Sequence, residues 1–134
     1  MAQSDLIKKI KRDFPDFRFR EGRKFAFRFP RTIILGPSEP FAELLLLHEV
    51  SHAILEHKGF KMDVARLKME SMAWGKAREL ADLYGVFFDE EFAEGELDSY
   101  RDWLHKKSRC PKCGLTRYQD TDKVYHCPRC ENLS

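Results

Sequence analysis

His48-Glu49-Val50-Ser51-His52 places two histidines four residues apart with a glutamate beside the first. On a helix, residues i and i+4 share a face, so both imidazoles can address one metal ion. Glu49 lies next to that face, within reach of a water on the metal. The surrounding chain is apolar nearly all round: Leu44 to Leu47 precede the motif, and Ala53, Ile54 and Leu55 follow it. Two histidines and a carboxylate on a buried helix need a use or partners, because burying them otherwise costs free energy. The alternative is a pair of core histidines satisfied by hydrogen bonds.

A catalytic zinc takes a third protein ligand and leaves the fourth position to water. His57 lies five residues past His52, about 140° further round a helix, and is expected to point elsewhere. In the longer H-E-x-x-H-x-x-G-x-x-H pattern the glycine would fall at Leu55 and the last histidine at Lys58. The third ligand is therefore expected from the next helix. There Leu67, Glu70, Ala73, Ala77, Leu80, Ala81 and Tyr84 form one stripe, and Glu70 is its only charge. Glu79 lies about 180° from Glu70, on the polar side. Otherwise Glu70 is an inward carboxylate bonded to a backbone N–H or an arginine.

A second constellation closes the chain. Cys110-Pro-Lys-Cys113 and Cys127-Pro-Arg-Cys130 are two C-x-x-C pairs separated by 13 residues. Each pair makes a turn that aims two thiolates at one point, and two turns complete a zinc tetrahedron. Leu115–Gln119 and Lys123–His126 read as a short hairpin between them. A 27-residue piece has little core, so metal must supply most of its stability, on the order of 10 kcal/mol. Disulfides and a redox dithiol are the other readings of such cysteines.

These groups need elements to hold them. Residues 4–14 read as an amphipathic helix with Leu6, Ile7, Ile10 and Phe14 inward. The period then changes to two. Phe17-Arg-Phe19-Arg and Phe25-Ala-Phe27-Arg-Phe29 read as a hairpin, with five phenylalanines on a core face and arginines outside. Thr32–Leu35 is expected as a third strand. A helix is expected over Glu39–His57, with Ser38 as its cap, Pro40 in its first turn and Gly59 as its stop. A second spans Asp63–Tyr84, stopped by Gly85, and a third Glu90–Lys107. The fold class expected is α+β, with an N-terminal helix, a small three-stranded antiparallel or mixed sheet, an active-site helix and a glutamate helix. The domain expectation is 1–107 for this unit and 108–134 for the ribbon.

The chain has 134 residues, 43% hydrophobic and 34% charged, with net charge +2. That fits one folded domain and a small appendix, and excludes global disorder. No run approaches the roughly 18 apolar residues of a membrane span. The N-terminus lacks a secretory plan, so a cytoplasmic protein with no membrane partner is expected. Residues 1–31 carry ten Lys/Arg against four acids, whereas 85–102 carry seven acids against one arginine.

His48-Glu49-x-x-His52 followed by Glu70-Ser-Met-Ala73-Trp74 resembles the gluzincin metallopeptidases, in particular the minimal gluzincins ("minigluzincins") and the ImmA/IrrE group of intracellular peptidases. The likeness covers roughly residues 5–85. It implies a zinc endopeptidase in which His48, His52 and Glu70 hold the metal and Glu49 is the general base. The ribbon, ending Cys127-Pro-Arg-Cys130-Glu-Asn-Leu133, resembles the tail of SprT-type proteases, which act on DNA-bound proteins. The likeness to these is confined to the first motif and the ribbon. The expected cofactors are two Zn2+, one catalytic and one structural, held by Cys110, Cys113, Cys127 and Cys130. The expected partners are a protein or peptide substrate and, through the ribbon, a nucleic acid or protein. The rival is a non-catalytic zinc-containing binding module. Tyr84, Tyr100 and His105 are candidate oxyanion donors, and strand Thr32–Leu35 a candidate for pairing with substrate.

With the core expected to close at Tyr84, the acidic stretch Asp89–Asp98 is free to lie against the basic hairpin. His105, Asp98 or Glu96 then has reach to the metal. Resemblance to minigluzincins implies the same latency, since members of that group are held inactive by a C-terminal segment. The alternative is an open cleft with residues 90–107 packed on the far side.

Overall fold

The computed structural model describes residues 3–59 and 62–131. Met1-Ala2 of the leader reading and Asn132-Leu133 of the ribbon-tail resemblance lie outside the described residues. The architecture is α+β, as expected. Helix α1 (Gln3–Asp13) buries Leu6 and Ile10 completely and keeps Lys8 and Lys11 exposed. Strands β1 (Arg18–Glu21), β2 (Ala26–Arg28) and β3 (Thr32–Leu35) follow.

The expected β1–β2 hairpin does not form. The sheet order is β1-β3-β2, with β1 parallel and β2 antiparallel to β3. Thr32-Ile-Ile-Leu35 takes the centre because it is the one strand without a charge, and central strands are the most desolvated. The arginine-bearing strands go to the edges, where charge is tolerated. The facial segregation survives this rearrangement. Phe19, Ile33 and Phe27 form one row across the sheet, and Ile33 is fully buried against the core. Arg18, Thr32 and Arg28 form a row of opposite facing, with both arginines exposed. Phe29 departs from the pattern and is 50% exposed. The chain between β1 and β2 passes close to the end of β3. A Cβ on Gly36 would stand 2.7 Å from the Phe25 nitrogen, so that position takes no side chain without a shift.

Helix α2 (Ala42–Ile54) is shorter than expected at both ends. Its N-cap is Phe41, with no side-chain cap, so Ser38 and Pro40 lie before the helix. The Phe41 ring stacks on Phe92 at 4.1 Å, so tertiary packing sets this end. At the other end Glu56 takes φ 55, in the left-handed region, and the chain leaves the helix before Gly59. Helix α3 (Asp63–Tyr84) ends at Gly85 with φ 70, where glycine carries no Cβ penalty. Helix α4 (Glu90–Ser108) is capped by Asp89, whose carboxylate accepts from the Phe92 N–H at 3.0 Å.

Ala73 and Ala77 are fully buried where α3 meets α2, and Leu80, Ala81 and Tyr84 continue the stripe inward. The core does not close at Tyr84. Ala93 and Leu97 of α4 are buried in it, and Val86, Phe88 and Phe92 pack against it. Trp74 of α3 is enclosed between His48 of α2 on one side and Phe88 and Phe92 of the following chain on the other. The chain then continues into β4 (Tyr118–Gln119), β5 (Tyr125–His126) and the short α5 (Pro128–Glu131). No helix among the described residues is long and apolar enough to cross a membrane.

Candidate metal centre

Helix α2 carries His48 and His52 one turn apart, 6% and 7% exposed. Helix α3 crosses so that Glu70 meets both. Its Oε2 stands 2.8 Å from His48 Nε2 and 3.1 Å from His52 Nε2, and the two nitrogens are 3.2 Å apart. Ligands 2.0–2.1 Å from a tetrahedral ion are separated by about 3.3–3.4 Å. The donor triangle is thus close to one face of such a site. Glu49 offers a carboxylate oxygen within 4.8 Å of one ring nitrogen of each histidine, so His48, Glu49 and His52 also form a group able to hold a metal. Glu70 is the closer third donor. Glu79 is exposed and pairs with Lys76 at 3.1 Å, away from the site.

The two glutamates differ in electrostatics. Burial pushes Glu70 up, but hydrogen bonds from His48 and His52 and their charge outweigh it and hold the carboxyl well below its usual range. At Glu49 the charges of His52 and Lys24 offset burial only in part, and the carboxyl is pushed up to about 7. One carboxylate is fitted to stay ionised beside cations. The other is fitted to exchange a proton near neutrality.

The rings are held from behind. His48 stacks on Trp74 at 4.2 Å, and His52 lies parallel to Phe27 at 6.0 Å. His48 Nδ1 and Trp74 Nε1 are buried without a hydrogen-bond partner. His57, expected to point away, instead meets His52, Nδ1 to Nδ1, at 2.8 Å. The left-handed Glu56 explains the difference. Helical extrapolation past Ile54 fails because the helix has ended, and the His57 N–H bonds back to the His52 carbonyl at 3.0 Å. No pattern in the motif carried this, since it depends on where the helix stops.

A cleft of about 440 Å³ opens over the site, lined by Glu49, His52, His57 and Glu70. Its opposite wall is Lys24, Phe25, Ala26 and Phe27, along the edge strand β2. The strand expected to pair with substrate, Thr32–Leu35, has neighbours on both sides, so the edge facing the cleft is β2. Of the three candidate oxyanion donors, Tyr100 lines the cleft. Its hydroxyl is pushed up to about 12 by burial and by the nearby charge of Glu70. Tyr84 instead donates to Asp13 at 2.8 Å, and His105 is exposed in the last turn of α4. Asp98 is paired with Arg101 at 2.7 Å, and neither it nor Glu96 nor His105 lines the cleft.

The four cysteines form the second centre. Cys110 and Cys130 sulfurs are 3.8 Å apart, Cys113 and Cys127 3.5 Å, and all four lie within 4.8 Å of one another. A disulfide needs about 2.05 Å. Thiolates about 2.3 Å from a tetrahedral zinc stand about 3.8 Å apart, which these distances match. Backbone N–H groups of Cys113 and Lys112 push the Cys110 thiol down to about 6, favouring the form that binds metal. Hydrogen bonds that its thiol donates to the Cys127 and Cys110 sulfurs push Cys130 up to about 12. Both centres are able to bind metal, with donor sets compatible with zinc.

No protein-family model, curated protein or solved structure matches this chain. The functional reading therefore rests on the geometry of the site.

Proposed function

We propose that the protein is a zinc-dependent endopeptidase of gluzincin type, with a catalytic zinc at His48, His52 and Glu70 and a structural zinc at the four cysteines. One observation carries the reading: three donors converge while a fourth group, Glu49, stands beside them in a cleft with its proton affinity raised to near neutrality. A structural site needs no such base and has no reason to sit under a cleft. A zinc held there supplies a Lewis acid and lowers the pKa of a bound water toward ~7. Glu49 accepts the proton of the attacking water and returns it to the leaving amine nitrogen. The Tyr100 hydroxyl donates a hydrogen bond toward the oxyanion that develops on the carbonyl. An extended substrate adds to the free edge of β2, where backbone pairing asks little of its sequence. Of α4, Tyr100 is the residue that lines the cleft, so the C-terminal segment reaches the site there and latency is tested by shortening the chain.

The non-catalytic reading draws on the exposed arginine row of the sheet, with Arg18 and Arg28 facing away from the core. The two readings separate on Glu49. Metal analysis and a proteolysis screen, self-cleavage included, are run on wild type and Glu49→Ala. The peptidase reading expects equal metal and loss of all hydrolysis. Metal at the triad with no hydrolysis by wild type, on any substrate or on itself, favours the binding module.

A further inference from the structure

Helix α3 has no cap of its own. Its N-cap residue is Met62, which offers no side-chain hydrogen bond. The first N–H groups of a helix have no intrahelical acceptor and need one from elsewhere. Here it comes from 56 residues further along: the Asp63 N–H donates to Gln119 Oε1 at 2.6 Å. The Asp63 side chain, 2% exposed as a residue, accepts from the Tyr125 hydroxyl at 2.7 Å and from Lys107 Nζ at 3.1 Å. Gln119 and Tyr125 are direct partners across the β4–β5 hairpin, so one rung of the ribbon holds both the backbone and the carboxylate of Asp63. Tyr125 stands two residues before Cys127.

Asp63, Arg66 and Glu70 are spaced i, i+3, i+7 and share one side of α3. The Arg66 guanidinium lies 5.0 Å from the centres of both the Tyr100 and Trp103 rings, and Tyr100 lines the same cleft as Glu70. The hairpin rung thus grips the first residue of the helix whose second turn carries the carboxylate of the metal centre.

We propose that the ribbon is a metal-dependent clamp that caps α3 and thereby positions Glu70. Small cysteine-metal units are folded when loaded and unfolded when empty. Emptying the Cys110, Cys113, Cys127 and Cys130 site dissolves the hairpin rung, and Gln119 and Tyr125 leave together. Asp63 is then a buried carboxylate with Lys107 alone, on a helix end with an unsatisfied N–H. The first two turns of α3 fray, and Glu70 at their end loses its fixed position. Asp63, Gln119 and Tyr125 are positioning residues in this account. The consequence for the triad rests on the metal-centre reading above. The clamp itself does not.

The test uses the full chain with Cys127→Ser, which empties the ribbon, and with Gln119→Ala and Tyr125→Phe, which leave all four cysteines. Leu115→Ala, at an exposed ribbon position, is the control. Hydrogen exchange of amides 63–70 reports the clamp, and zinc competition with a chromogenic chelator reports the triad. The expected result is at least tenfold faster exchange over 63–70 in Cys127→Ser, with a smaller change in the other two and none in the control. Zinc affinity at the triad is expected to fall about tenfold, as for loss of a group supporting a ligand. Unchanged exchange over 63–70 in both Cys127→Ser and Tyr125→Phe overturns the clamp. Should wild type hold no zinc at the triad, the peptidase reading fails and exchange alone still decides the clamp.

Discussion

His57 Nδ1 lies 2.8 Å from His52 Nδ1, so one of the two nitrogens must carry the proton between them. If His52 gives Nε2 to a metal, its Nδ1 keeps the hydrogen and donates it, and His57 accepts. A neutral imidazole thus fills the place that a carboxylate or carbonyl usually takes behind a metal-bound histidine. His57→Ala removes the acceptor and frees the His52 ring to turn. Zinc affinity is expected to drop about tenfold, less than in Glu70→Ala, with nitrogen-15 spectra showing mixed tautomers of His52. Unaltered affinity and a single tautomer in His57→Ala would mean the contact has no part in holding the ring.

Glu49, Glu70 and Glu79 are expected to separate cleanly. Glu70→Ala removes a donor shared by both histidines and should abolish stoichiometric zinc at the triad. Glu49→Ala should keep zinc and lose hydrolysis by a factor of about 100 to 10,000, the range for a lost acid–base group. Glu79→Ala, breaking an exposed pair with Lys76, should change neither. Metal content by atomic emission and a peptide assay read all three, and a swap between Glu70 and Glu79 would refute the triad.

Glu49 should make the metal-free chain less stable as pH rises from 4.5 to about 7, because burial raises it across that window, while the lowered His48 and His57 act in the opposite sense. There the folded state holds a proton that the unfolded state has released, which makes the slope negative. Glu70, held well below its usual range, gives up its proton below the window. Glu49→Gln removes this part of the slope. It should stabilise the metal-free protein near pH 8 by roughly 3 kcal/mol, since a tenfold change in proton affinity is about 1.4 kcal/mol. Urea denaturation in chelator at both pH values checks this; parallel curves for the two proteins would contradict it.

Shortening the chain should have two different outcomes. Ending it after Gly85 strips Phe88, Phe92, Ala93 and Leu97 from the core, and no cooperative unfolding is expected from the remainder. Leu97→Ala by itself should cost about 2–4 kcal/mol. Ending the chain after Lys107 keeps α4 to within its last residue but also removes the clamp on α3, so latency is read as activity per zinc-loaded triad. Higher activity on casein than the full chain would show restraint by the ribbon. Equal or lower activity from a folded, zinc-loaded product would exclude it.

Spacing along the chain was enough for everything that a helix or a turn decides locally. The i, i+4 histidines, the place of Glu70 on the inward stripe of α3, the stop at Gly85 and the convergence of each C-x-x-C pair follow from 3.6 residues per turn and from turn geometry. Each involves groups fewer than about twenty residues apart or repeats one local period. Tertiary structure alone decided what depends on competition between distant segments. Thr32–Leu35 displaced a local hairpin because burying an uncharged strand between two others outweighs pairing neighbours in sequence. His57 reached His52 because α2 ends at Ile54 and the left-handed Glu56 turns the chain back. Asp63 found its partners 56 and 62 residues away, and Trp74 needed α4 to enclose it. Such contacts are set by how much buried surface and how many satisfied polar groups the whole chain can achieve together, and that total is written in no single stretch of residues.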